Sequence, residues 1–314
     1  MFYSFAMVIR ASTIGELSQA LAKASATQTP VSAVDLHSLA GVLEYRPEDM
    51  TVTMQTGIPL QTLQAELARR GQWLPIDPPR APTIDEVLNR NLSGPRRFGY
   101  ATIREHLIGI TAVLADGRII HNGGKVVKNV AGFDLCKLFV GSQWSLGIVV
   151  EATFKLRPLP VRELFLSAQF DHISEAAKAI QRVLESPLTP VVLDLFSDRL
   201  PACSLVLGLA GTVEEVEWQK AEATKLEIST PASLDYDANF WSAATPPKQS
   251  SVLPSRLAEE LVSRQPENFV ARAGNGILFY RGGLEPPKPS VPATLTRRLK
   301  EIFDEKRILP DLVI

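Results

Sequence analysis

The stretch from Gly123 to Pro158, GGKVVKNVAGFDLCKLFVGSQWSLGIVVEATFKLRP, limits what this chain can fold into more than any other, because its hydrophobic period changes partway through. Asp134 stands where it can cap a helix over Leu135–Val140, whose Leu135, Leu138 and Phe139 recur at the spacing of one buried face. After Gly147, Val150, Ala152, Phe154 and Leu156 alternate with Glu151, Thr153, Lys155 and Arg157, the pattern of a half-buried strand. Helix, glycine turn and strand in succession make a junction that can offer backbone N–H groups to an anion, since glycine leaves the approach open. Taken on spacing alone, a tight turn in a packed domain describes it better.

The rest of the chain surrounds this junction with mixed elements. Val8–Ile9 reads as a short strand, and Thr13 with Glu16 as a capping box opening a helix to about Ala26. Strands are expected at Pro30–Val34, Leu36–Val42 and Thr51–Thr56, and a helix from Pro59 to a stop at Gly71. Thr83 and Glu86 form a second capping box, and Asp116-Gly117 marks a hairpin between Ile108–Leu114 and Arg118–His121. Further on, Glu163–Phe170, Val191–Phe196 and Cys203–Leu209 read as strands, with helices over Ser174–Glu185 and from Thr212 to Leu226. A last strand is expected at Phe269–Tyr280. That order of strands and helices is the ferredoxin-like one. Asp235–Ser251 and the Pro-rich Leu284–Pro292 read as loops, and Ala293–Asp304 as a closing helix.

Composition excludes several partners. A net charge of −1 without a long basic run argues against nucleic acid or an anionic membrane surface. The apolar runs are strand-sized, so no direct membrane span is expected, and the N-terminus lacks the pattern of a signal peptide. A cytoplasmic setting is the default. Cys136 and Cys203 read as small buried fillers, and His37, His106, His121 and His172 show no metal-ligand spacing, so no metal is expected.

The run KVVKNVAGFDLCKLFVGSQWSLGIV resembles the signature of FAD-linked oxidases of the vanillyl-alcohol oxidase (PCMH) type. Among them it is similar to the FAD-binding subunits of bacterial glycolate oxidases, and the likeness reaches back through NLSGPRRFGYATIREHLIG. The resemblance implies an α+β fold: a PCMH-type FAD-binding domain of two subdomains (1–160), a ferredoxin-like α/β cap domain (161–288), and a C-terminal segment (289–314) packing back on the first domain. It implies FAD as cofactor, held mainly by backbone contacts. Asn91, Ser93, Gly94, Arg97, Asn129, Gly132, Gly141, Ser142, Gly147 and Ile148 are the cofactor-binding candidates. For Arg96 and Arg97, a solvated pair and an anion contact are equal readings.

Five positions depart from the family pattern, all in one direction. No glycine occurs from Glu16 through Ala40, where the family places its first phosphate-binding loop. Asp85-Glu86 replaces a Gly-Gly pair, Ala101 and Trp144 replace single glycines, and the D-P-x-G-x-x-N-P ending has become Asp304–Asp311 without its glycine and asparagine. A diphosphate needs converging N–H donors and no carboxylate at close range. No catalytic constellation is visible. The resemblance therefore implies a subunit of a glycolate oxidase or dehydrogenase-like, 2-hydroxy-acid-oxidising complex that is not itself the oxidising subunit. It would work beside a catalytic flavoprotein subunit and an iron–sulfur subunit. The alternative is a flavin-free scaffold or stabilising subunit that keeps the fold.

Overall fold

The computed structural model describes residues 7–124, 134–285 and 293–311. The chain opens with β1 (Met7–Arg10), α1 (Ile14–Ala26) and β2 (Val31–Asp35), the two strands pairing in parallel with the helix as crossover. Thr13 Oγ1 accepts from the Glu16 N–H, and the Glu16 carboxylate turns back to the Ser12 N–H, one residue before the cap. Leu17 and Leu21 are fully buried against Val113, Ile148 and Val150.

Next come β3 (Val42–Arg46), β4 (Thr51–Gln55), α2 (Leu60–Ala68), β5 (Gln72–Trp73), α3 (Ile84–Arg90), α4 (Arg97–Tyr100) and α5 (Ile103–His106). They are followed by β6 (Leu107–Val113), β7 (Ile119–Gly123), α6 (Leu135–Phe139), β8 (Ile148–Lys155) and β9 (Arg157–Pro158). Five of these strands form one antiparallel sheet in the order β3-β4-β8-β6-β7. The strand expected at Leu36–Val42 starts at Val42 instead. Residues 36–41 make a tight turn in which the Leu39 N–H donates to the Leu36 carbonyl, and Leu36 and Leu39 are both buried. Gly57 lets that turn close down, since a Cβ there would stand 1.9 Å from the Leu36 oxygen.

The second sheet is built from β10 (Arg162–Phe170), α7 (Ile173–Glu185), β11 (Val192–Ser197), β12 (Cys203–Gly211), α8 (Val213–Lys225) and β13 (Thr230–Pro231). To these the chain adds α9 (Asp235–Ser242), β14 (Lys248–Ser251), α10 (Leu257–Arg264), β15 (Asn268–Arg272) and β16 (Ile277–Arg281). The strand order is β13-β10-β12-β11-β15-β16-β14. Its first four members have the ferredoxin-like arrangement, but the fourth strand is the short β13 rather than Phe269–Tyr280. That segment is a hairpin, broken at Ala273–Asn275 and at Gly276, whose φ is +68°, and it widens the sheet beyond β11. Helix α9 and strand β14 occupy the span expected to be loop, and α10 was not foreseen. Finally α11 (Ala293–Phe303) leads to Ile308 and Leu309, which pack with Ile9 and Val31; the Val31 N–H donates to the Ile308 carbonyl at 2.7 Å.

Candidate functional site

The junction marked by the sequence is a meeting of α3, the turn after α6, and the start of β8. Thr83 and Glu86 cap α3 reciprocally, and Asn91 ends it in the left-handed region at φ 48°. The next turn folds back along that helix: Gly141, at φ +80°, donates its N–H to the Leu88 carbonyl at 2.8 Å. The Gln143 N–H goes to the Asn89 carbonyl at 3.0 Å, and the Trp144 N–H to Asn89 Oδ1 at 3.1 Å. Ser142 and Ser145 close the turn on Phe139 and Ser142 carbonyls. On the helix side, the Asp85 N–H donates to the Thr56 carbonyl at 2.7 Å and the Glu86 N–H to Thr83 Oγ1 at 3.3 Å.

Side chains fill what lies between. Asp85 is 5% exposed, and its carboxylate accepts from Asn89 Nδ2 at 2.6 Å and from the Trp144 indole N–H at 3.2 Å. Burial pushes this carboxyl up to about 7, against the pull of those donors. The N–H groups of Asp85, Glu86, Gly141, Gln143 and Trp144 are thus engaged within the chain and a buried acid stands among them, while the buried Ser142 and Ser145 hydroxyls have no hydrogen-bond partner among the described residues. The residues present do not fit a dinucleotide diphosphate at this junction.

The cofactor-binding candidates fall into separate groups. Gly141 and Ser142 belong to the turn just described, while Gly147 (φ +149°) and the fully buried Ile148 begin β8. A Cβ on Gly147 would come within 2.9 Å of the Val113 oxygen. Gly94 is required by packing too, with the Asp77 oxygen 1.7 Å from where a Cβ would be. Asn129 and Gly132 lie outside the described residues. Asn91, Ser93 and Arg97 instead line a cavity of about 580 Å³ between the two sheets, whose far wall is Trp241, Gln249 and Phe279.

The paired reading of Arg96 and Arg97 separates. Arg96 is neither solvated nor open to a ligand: it joins Asp77 at 3.0 Å and Glu163 at 2.7 Å and lies near the faces of Trp73 and Phe165. Despite Arg96, burial pushes the Asp77 carboxyl up to about 6. Arg97 donates to Ser93 Oγ at 3.2 Å. A second buried cluster, which no sequence pattern signals, has Arg272 bridging Asp194 and Asp237 and the Tyr236 hydroxyl donating to Asp194 at 2.6 Å. Its members lie far apart in sequence, on β11, β15 and α9. The two cysteines are buried, and desolvation pushes both thiols up to about 11.

The family described as FAD binding domain matches residues 8–123. The glycolate oxidase subunit GlcD of Bacillus subtilis is 37% identical over 155 residues, covering 49% of this chain and 33% of that protein. Glycolate oxidase subunit GlcE of Escherichia coli is 33% identical over 161 residues, 50% of this chain and 45% of that protein. A D-lactate dehydrogenase of Archaeoglobus fulgidus is 31% identical over 158 residues, 50% of this chain and 35% of its own length. The chain thus spans less than half the length of these relatives. Among solved structures, alkyldihydroxyacetonephosphate synthase superposes with a TM-score of 0.71 over 96% of this chain and 76% of its own, at 14% identity, which is a likeness of fold. Residues 8–123 thus match an FAD-binding-type domain, and about half of the chain is similar to subunits of FAD-linked glycolate oxidases.

Proposed function

We propose that this chain is a flavin-free subunit of a 2-hydroxy-acid-oxidising complex, one that supports a catalytic flavoprotein subunit and does not carry out the oxidation. The observation that carries this reading is the closed junction: the N–H groups of Asp85, Glu86, Gly141, Gln143 and Trp144 all have acceptors within the chain. The relatives named glycolate oxidase subunits support a place in such an assembly; an iron–sulfur subunit is the onward electron carrier in this reading. In this reading residues 1–160 are the flavin-type domain, 161–288 the cap domain and 289–314 a returning segment. The separate apolar clusters around Phe154 and around Leu207 support the first division. The setting is cytoplasmic; no helix among the described residues is long and apolar enough to cross a membrane.

A second reading, in which the chain itself carries FAD, is favoured by the family match over residues 8–123 and by the inter-sheet cavity bordered by Asn91 and Ser93. The visible absorption spectrum separates the two. A colourless protein that takes up no added FAD through gel filtration, yet co-purifies with a flavoprotein subunit and an iron–sulfur subunit, bears out the first. A flavin band that survives gel filtration overturns it.

A further inference from the structure

We infer that the cavity between the two sheets is a binding site for a flat organic anion, an arene carboxylate or sulfonate, taken up without any flavin. This deepens the flavin-free reading and rests on it. The cavity is lined by Arg80 and Arg90 from the first half of the chain and by Arg97 from α4, facing Trp241 and Phe279 on the second sheet's side. Among the described residues none of these three guanidinium groups enters an ion pair. Arg80 donates only to the Trp241 carbonyl, at 3.4 Å, and Arg97 only to Ser93 Oγ. A fourth cation adds to them: Arg281, held by the carbonyls of Thr245 and Phe240, has its pKa lowered first by burial and then by the like charge of Arg80. Burial and the Arg272 charge lower that of Arg97. The acid that acts on Arg97, Glu105, is itself bonded to Thr102.

Asp85 acts on Arg90 and Glu105 on Arg97 only at a distance, and none of these arginines is ion-paired among the described residues, so an anionic ligand would meet an excess of positive charge at the cleft. The apolar wall sets the shape of its remaining part. Trp241 and Phe279 meet edge to face with ring centroids 5.0 Å apart, and the indole is held in place by its N–H bond to Asp237 at 3.1 Å. Rings so fixed give the cavity a rigid aromatic corner against which a planar ligand can stack on one ring and meet the edge of the other, at little entropic cost. Volume decides against a two- or three-carbon hydroxy acid, because about 580 Å³ lies in the range that holds much larger ligands. Gln249 and Ser251 on β14 give the rim polar groups for orienting the ligand.

The test uses the full chain and two probes that differ only in charge, 2-naphthoate and 2-naphthamide, titrated by calorimetry. The expected result is one site for naphthoate, binding of the amide at least tenfold weaker, and a loss of about tenfold or more for naphthoate in the Arg90→Gln/Arg97→Gln double variant. Equal binding of the two probes, no binding of naphthoate, or full affinity in a variant whose circular dichroism is unchanged overturns the site. The comparison of probes needs only the unaltered protein, so a poorly folding variant leaves the test intact. FAD released from the same sample on denaturation is measured in parallel. FAD found alongside naphthoate binding overturns the flavin-free reading and, with it, uptake of the anion without flavin; no FAD and no naphthoate binding overturns the anion site alone.

Discussion

The indole N–H of Trp144 reaches both carboxylate oxygens of Asp85 at 3.2 Å, joining the turn after α6 to the first turn of α3. Trp144 holds this position at φ 62°, directly after Gln143 at φ 52°. Two successive non-glycine residues in the left-handed region cost about 1 kcal/mol each, so the surrounding bonds must hold them there. Asn89 supplies those bonds: its carbonyl and Oδ1 fix the two N–H groups while its Nδ2 fixes Asp85.

Asp85 makes the fold sensitive to pH in a direction opposite to that of most carboxylates. Its folded pKa, about 7, lies above the ordinary aspartate value, so between roughly pH 4 and 7 the folded chain holds a proton that the unfolded chain has released. This contribution favours folding at low pH and is lost as pH rises through 7. Asp85→Asn keeps an acceptor for the indole and carries no charge. We expect it to raise stability by about 1–3 kcal/mol at pH 8 and to change it little at pH 4. Urea melts at the two pH values check this; an equal effect at both would show that the carboxyl is not held neutral.

Removing the bulky residue does not reopen the junction. In Trp144→Gly the strained φ is relieved, but the Gly141 and Gln143 N–H groups keep their carbonyl partners and Asp85 loses a donor. Equilibrium dialysis with FAD is expected to show no gain in binding for Trp144→Gly, alone or with Asp85→Gly. Thermal melts should show a loss of about 1–3 kcal/mol for the single variant. FAD uptake by either variant would mean that side chains alone had kept the cofactor out.

Local signals make much of the fold legible in the sequence. The capping residues Thr83 and Thr212 mark helix starts with hydroxyls that accept from the N–H three residues on, and Gly117 marks the hairpin because φ +86° favours glycine. Phe269–Tyr280 misled because both arms of the hairpin are apolar, and its turn, Ala273-Gly274-Asn275-Gly276, is short enough to pass as a break in one strand. Helix α9 was missed because its few buried contacts depend on Arg272, 35 residues further on. The closed junction was half legible. Asp85 and Trp144 stood out as departures from a pattern, but their bond to each other spans 59 positions, which no local period encodes.

The Arg272 cluster should behave as a buried charge network does when one member is removed. Arg272 is 2% exposed, Asp194 1% and Asp237 5%. Arg272→Met would leave two buried carboxylates without their cation, and a loss of about 3–5 kcal/mol is expected. Adding Asp194→Asn and Asp237→Asn should restore a large part of that loss. Denaturant unfolding of the single and triple variants measures both. If Arg272→Met costs under about 1 kcal/mol, the cluster has access to water and the two sheets are less tightly closed at α9.

Lys300 ties the C-terminal turn to the site. It is 6% exposed, and its ammonium donates to the carbonyls of Ser145, Leu309 and Pro310 at 3.1, 2.8 and 2.7 Å. It also pairs with Asp304 at 2.8 Å, whose carboxylate accepts from the Ile308 and Leu309 N–H groups at 2.9 Å each. One cation therefore connects α11, the returning turn and the loop that carries Trp144. Lys300→Met keeps most of the side-chain volume but leaves Asp304 buried without its cation, a change expected to cost about 3–5 kcal/mol. Because Ile308 is bonded to the edge of β2, cleavage near residue 305 in limited proteolysis should accelerate before global unfolding. Lys300→Met combined with Asp304→Asn removes the stranded charge but also weakens the acceptor for two N–H groups, so only partial recovery is expected. A single variant that matches the parent in both stability and proteolysis would show that the apolar packing of Ile308 and Leu309 holds this segment without Lys300.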